Sequence, residues 1–183
     1  MRLILVRHFR TQSNEARRIM GWGDAPPAQN WEEDLRLVDQ CLEQHHLVID
    51  AILSSDLGRA RETARYFARR RGLAGVESHL AFNEVNYGEL FDLDKDSACT
   101  AYPQFKTDPD YVFPGGESFR QMQARSQAQV QKLAARHPER TLLLVAHAGV
   151  IRALVCHFLG RDLADHLRGK LDHRYIGDFQ SQD

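Results

Sequence analysis

Residues 3–14 read LILVRHFRTQSN, and the parsing of this stretch decides the fold. Four apolar residues, Leu3 to Val6, run without interruption into Arg7 and His8. A run so short and so wholly apolar suits a strand buried on both faces, as in a parallel sheet, better than a half-exposed strand with alternating polarity. Two similar runs lie further on, AILSS at 51–55 and TLLLVAH at 141–147, with weaker strand candidates at 76–82 and 175–179.

Between these runs the apolar period lengthens to that of a helix. Trp31, Leu35, Val38 and Leu42 share one stripe at about 100° per residue. Leu57, Ala60, Ala64, Phe67 and Ala68 form a second stripe, with Gly72 placed to stop the helix. Ser118 is a good N-cap for a helix whose apolar face is Phe119, Met122, Val130 and Leu133. Residues 149–159 follow the third strand almost without a loop and end at Gly160. Strands and helices in alternation predict an α/β fold, a mostly parallel central sheet with helices on both faces. The 183 residues suit one domain, with the polar interval at about 83–117 forming an irregular cap over one end of the sheet.

Composition narrows the function. At 43% hydrophobic and 27% charged the chain reads as an ordinary globular protein. A net charge of −1 supplies no field to draw it to nucleic acid or an anionic membrane. Arg61, Arg65 and Arg69, at helical spacing, read as a solvated face. Cys41, Cys99 and Cys156 are odd in number and lack CxxC spacing, so neither a disulfide framework nor a zinc cluster is expected. With no signal-like or membrane-spanning segment, the expectation is a cytoplasmic protein. No residue pattern specifies an oligomeric state.

In open α/β sheets ligands bind beyond the carboxyl ends of the strands. The first strand ends in Arg7-His8, the second in Ser54-Ser55 with Arg59 in the next helical turn, and the third in His147 at a helix start. Each alone reads as a solvated terminus or a structural histidine. Together, two arginines, two histidines and helix N-termini form an inventory suited to phosphate. His45, His46, His137, His157, His166 and His173 lie in helices or polar connections, and His79 lies in a strand without a charged companion; all seven read as structural.

A neutral imidazole can attack phosphorus to form a covalent phosphohistidine, with the arginines and second histidine stabilising the equatorial oxygens. The leaving alkoxide needs a proton from a carboxyl group. Glu84, opening the cap segment, is the best candidate; Asp56, Glu62, Glu89 and Glu117 are weaker ones. No HxH, HExxH or clustered carboxylates ask for a metal, so no cofactor is expected.

At this point the chain resembles the histidine phosphatase superfamily, which includes the cofactor-dependent phosphoglycerate mutases. The resemblance runs from residue 3 to about 160. VRHFRTQSN is similar to the family's Arg-His-Gly signature, with Arg7 and His8 matching, Thr11 at its small hydroxyl position and Asn14 at its phosphate-pocket asparagine. ILSSDLGRARETA resembles the block carrying the phosphate-gripping arginine, here Arg59, and FNEVNYGEL the block carrying the proton donor, here Glu84. LLVAHAGVIRAL resembles the block with the second histidine, here His147, and PGGESF at 114–119 a motif of the smaller phosphatases. The resemblance implies a phosphoglycerate mutase-like sheet, a metal-independent phosphohistidine route and a small phosphorylated substrate.

Two departures stand out. Residues 23–33 lack the family's Pro-Leu-Thr-x-x-Gly run, which bears on the substrate side. Phe9 replaces the usual glycine. A phenylalanine holds positive φ only with strain, so Phe9 is expected at negative φ, its ring either under the site or forming an apolar wall beside the phosphate that selects leaving groups. The leading expectation is a phosphomonoester hydrolase. A mutase and a weakly active phospholigand-binding module are the alternatives, the last favoured only by Phe9.

Overall fold

The computed structural model describes residues 1–180, so the last three residues of the expected domain lie outside it. Strands β1 (Arg2–Arg7), β2 (Ala51–Ser55), β3 (Val76–His79), β4 (Thr141–Ala146) and β5 (Ile176–Gln180) form one sheet in the order β3-β2-β4-β1-β5. The three apolar runs become its centre. β1 pairs parallel with β4, Leu3 opposite Leu142, and β4 pairs parallel with β2. Only β5 runs antiparallel, with Phe179 opposite Leu3.

Alternate residues of the central strands feed two cores. Ile4, Val6, Ile52, Leu143 and Val145 pack with Leu35, Val38 and Leu42 of α2 (Trp31–Gln44) and with Ala60, Ala64 and Phe67 of α3 (Gly58–Arg70). Leu3, Leu5, Leu53, Leu142 and Leu144 pack on the other face with α5 (Phe119–Arg136) and α6 (Ala148–Phe158). Helices therefore cover both faces, and continuous apolar runs were required because neither face of the central strands is wet. Ser118 caps α5 in a reciprocal box with Gln121. Gly72 and Gly160 take positive φ just past α3 and α6. Arg65 and Arg69 lie exposed on α3, as a solvated face requires, and Arg61 is half-buried beside Asp56 at 3.5 Å.

Two sequence expectations change. The fourth strand stops at His79; Leu80–Phe82 turns into a 3₁₀ helix that sends Phe82 into the core and leaves Leu80 exposed. The segment at 83–117 is less irregular than its polarity suggests. It holds a 3₁₀ turn at Gly88–Leu90 and the helix α4 (Lys95–Ala101), whose first amides are capped by Asp94. Tyr87, Phe105, Phe113 and Phe119 interlock with ring centroids 5.1–6.1 Å apart, so this cap has an aromatic core continuous with that under α5 and α6.

Candidate active site

The carboxyl ends of β1, β2 and β4 meet the cap in a cleft of about 740 Å³. His8 continues the β1 pairing by one residue, its amide donating to the Ala146 carbonyl at 3.0 Å. Its ring is buried, with Nδ1 2.6 Å from the Phe9 carbonyl oxygen. A carbonyl can only accept, so Nδ1 carries the proton and Nε2 keeps its lone pair. Burial holds the His8 imidazole well below its usual pKa of 6.5, reinforced by Arg59, His147 and Arg7. His8 is thus neutral, with Nε2 free of a proton.

Phe9 makes this arrangement possible without a glycine. Among the described residues, positive φ outside glycine is confined to Arg17, Asn30, His46, Asp92 and Lys106, so Phe9 lies at negative φ. Its amide donates to Thr63 Oγ1 at 3.0 Å, and that hydroxyl donates to the Arg59 carbonyl at 2.8 Å. The ring is buried in the α2–α3 core against Trp31, centroids 4.8 Å apart, and does not line the cleft. Of the two placements expected, the ring takes the one under the site; no apolar wall beside the phosphate position is formed by it.

Arg59, in the first turn of α3, is buried beside His8. Its Nε donates to His8 Nε2 at 3.3 Å, while Nη1 and Nη2 donate to the carbonyls of Gly23 and Gly21 at 2.6 and 2.8 Å. Arg7 hydrogen-bonds the Leu171 carbonyl through Nη1, and its Nε is buried with no partner. Burial lowers its pKa to about 10, so it stays charged near neutrality. His147 is fully buried 5.0 Å from the His8 ring, with Nε2 2.6 Å from Ser55 Oγ and Nδ1 unpartnered. A buried polar atom without a partner is costly unless a ligand completes it.

Glu84 follows the 3₁₀ turn after β3. Its Oε2 accepts the amide of Gly149, in the first turn of α6, and its Oε1 the amide of Val85, both at 3.1 Å. A Cβ on Gly149 would stand 2.2 Å from Glu84 Oε1, so only glycine admits the carboxylate here. Of the five carboxylates considered from sequence, Glu84 alone lines the cleft. Asp56, Glu62 and Glu117 pair with Arg61, Arg65 and Arg125, and Glu89 is exposed.

Thr11 and Asn14 divide. Thr11 is fully buried as the N-cap of α1 (Gln12–Glu15): its Oγ1 accepts the Asn14 amide at 3.2 Å and lies 3.1 Å from Asn14 Oδ1 and 3.4 Å from Met20 Sδ. Asn14 returns the bond through Oδ1 to the Thr11 amide at 3.2 Å and lines the cleft, whereas Thr11 does not.

Several lining residues escaped the sequence reading. His173 is not merely part of a polar connection: its Nδ1 donates to the His8 carbonyl at 3.1 Å, and burial, aided by Arg7, lowers its pKa to about 4. His79 does have a charged companion, Glu77 at 3.0 Å, although it stays outside the cleft. Seven arginines and three lysines line the cleft against three carboxylates. Lys95 and Lys106 are half-buried and have no carboxylate partner among the described residues; burial first lowers both pKa values, reinforced by the charge of Lys106 at Lys95 and of Arg152 at Lys106. Among the described residues, no group of three or more His, Cys, Asp and Glu could hold a metal ion.

The model of the histidine phosphatase superfamily, branch 1, matches residues 3–177. The chain belongs to this family. A 2,3-bisphosphoglycerate-dependent phosphoglycerate mutase of Parvibaculum lavamentivorans is 30% identical over 162 residues, covering 84% of this chain and 77% of that protein. Phosphoserine phosphatase 1 of Hydrogenobacter thermophilus is 29% identical, covering 90% and 79%. The solved structure of a mycobacterial glucosyl-3-phosphoglycerate phosphatase is similar with a TM-score of 0.78 at 29% identity, covering 90% of this chain and 84% of that one. This histidine phosphatase has no helix, among its described residues, long and apolar enough to cross a membrane.

Proposed function

We propose that this histidine phosphatase hydrolyses a small phosphomonoester through a phosphohistidine on His8. The observation that carries the reading is the unprotonated Nε2 of a neutral, buried His8, which accepts from Arg59 at 3.3 Å in the cleft that Arg7 also lines, with the His147 ring 5.0 Å from its own. Nε2 attacks phosphorus as the ester P–O bond breaks. Arg7, Arg59, His147 and the side-chain amide nitrogen of Asn14 hold the three equatorial oxygens. Glu84 gives its proton to the departing alkoxide, then takes one from the water that attacks phosphohistidine and releases inorganic phosphate. Thr11 contributes by capping the turn that presents Asn14. No step needs a metal or cofactor.

The lysines speak to the leaving group. One phosphate dianion does not balance the excess of cations, and unpaired, half-buried Lys95 and Lys106 suit a leaving group that carries a carboxylate or second phosphate of its own. The same excess favours a second reading as a mutase, which must hold a doubly phosphorylated intermediate. The binding-module reading loses its motive, since Phe9 leaves the His8 geometry intact.

The test is a panel of phosphomonoesters, with phosphate release and phosphoryl relocation measured with and without a chelator. Release that survives the chelator supports the hydrolase. Relocation without release supports the mutase, and no turnover on any member overturns both.

A further inference from the structure

Glu84 is fixed to the cleft by its side chain, but its backbone is held from behind by residues that touch no part of the cleft. Arg125 of α5 is the centre of that support. Its Nε donates to Glu117 Oε2 at 3.1 Å, and Nη2 to Glu117 Oε1 at 2.6 Å and to the Glu84 carbonyl at 3.0 Å. Nη1 donates to the carbonyls of Ala81 and Leu80 at 2.8 and 3.4 Å. All five N–H groups of this guanidinium are therefore engaged, three of them on the backbone between Leu80 and Glu84.

Glu117 closes the arrangement. Its Oε1 also accepts the Asn86 amide at 2.9 Å, and its own amide donates to the Asn86 carbonyl at 2.9 Å. The glycine before it is required, because a Cβ on Gly116 would stand 2.1 Å from the Asn86 carbonyl oxygen. This gives the PGGES stretch a physical reason: it lies flat against residues 86–88 so that Glu117 can reach both Asn86 and Arg125. The Glu84 carbonyl takes one more donor, Trp22 Nε1 at 2.6 Å. The peptide on either side of Glu84 is thus clamped from α5, from the PGGES turn and from Trp22.

We infer that Arg125 and Glu117 are positioning residues for the proton donor, an ion pair whose task is to hold the Glu84 backbone so that its carboxyl group meets the leaving oxygen. The inference rests on the reading of Glu84 as that donor. A lysine could keep the charge at 125 but could not span Glu117 and three carbonyls at once. Loosening this support costs most where the leaving group needs its proton and little where it does not.

The experiment compares kcat/KM, which includes departure of the leaving group, for an alkyl phosphate and for p-nitrophenyl phosphate. It uses the wild-type chain, Arg125→Lys, Arg125→Met, Glu117→Gln and Glu84→Gln. Arg125→Met is expected to lose about 10- to 100-fold on the alkyl ester and less than about threefold on p-nitrophenyl phosphate, with Arg125→Lys and Glu117→Gln between it and wild type. Glu84→Gln should show the same selectivity more strongly, and Arg125→Met added to Glu84→Gln should remove no further selectivity. If Glu84→Gln loses equally on both esters, the donor assignment fails. If Glu84→Gln is selective while the Arg125 and Glu117 variants lose equally on both, or lose nothing, the positioning role fails. Arg125→Lys and Glu117→Gln keep the inference testable should Arg125→Met not fold.

Discussion

Nδ1 of His8 and the carbonyl oxygen of Phe9 stand 2.6 Å apart, and this bond fixes the tautomer of His8. Because it runs to backbone, the residue at position 9 can vary without disturbing it. The phosphoryl group should therefore sit on Nε2. Phosphorus-31 and nitrogen-15 NMR of trapped enzyme would reveal it, and His8→Ala should abolish both turnover and the acid-labile phosphoenzyme. Label on Nδ1, or on His147, would refute the assignment.

Ser55 Oγ lies 2.6 Å from His147 Nε2. If its hydroxyl donates to His147 Nε2, Nδ1 bears the proton and is left as a donor that a bound phosphoryl group would satisfy. His147→Ala should cost about 10² or more in kcat, the usual scale for a lost transition-state donor. Ser55→Ala should cost less, about tenfold, with KM changed far less than kcat. A Ser55→Ala variant with wild-type kcat would show that the histidine needs no such partner.

Phe9→Gly removes a buried ring and adds backbone freedom, and is expected to destabilise the fold by about 3–5 kcal/mol. Selectivity among leaving groups should stay as it is, since the ring does not reach the cleft. Denaturant titration gives the first quantity and the phosphomonoester panel the second. A relaxed preference for bulky esters in a stably folded variant would put the ring back in the cleft.

Acid should weaken the fold through its buried histidines. His8, His147 and His173 all have folded pKa values below 6.5, by burial first, so the unfolded chain takes up protons before the folded one. Their contribution is complete above about pH 6.5 and is lost as pH falls towards each folded value, between 6.5 and about 4 for His173. The melting temperature should drop between pH 7 and 5, less steeply in His173→Asn. The His8 ring should titrate by NMR well below 6.5; a midpoint near 6.5 would overturn its neutral assignment.

Lys95→Ala and Lys106→Ala should raise KM about tenfold for esters whose leaving group bears a carboxylate or phosphate, and leave p-nitrophenyl phosphate nearly unchanged. Steady-state kinetics on matched charged and uncharged esters decides it. An equal rise on both would mean the lysines serve the transferred phosphate alone.

The parts of the fold readable in advance were those with one physical cause. Leu3–Val6, Ala51–Ser55 and Thr141–Ala146 are apolar because both faces are covered, and that burial writes itself into consecutive residues. β5 carries the half-buried pattern of an edge strand and gave a weaker signal. α4 was illegible because an Asp94 cap and one buried alanine, rather than an apolar stripe, define it. The site divides in the same way. Arg7, His8, Arg59 and His147 lie at or just beyond strand ends, where topology gathers ligands. Lys95, Lys106 and His173 are scattered along the chain, and only closure of the cap and of the loop before β5 gives them a common cleft.

The pairing of β1 has a consequence for the chain's birth. Arg2 finds its partners at Thr141 and at Gln180, so the strand that leads into His8 is synthesised long before either neighbour exists. Leu3–Val6 must wait as an uncovered apolar segment while α2, α3 and the cap are made, and such segments are prone to wrong pairing. The segment is bounded by Arg2 and Arg7, charges of the kind that discourage wrong pairing of an apolar run. Release of phosphate should accordingly be among the last properties gained during refolding, appearing with the closure of β5 rather than with the early helical signal.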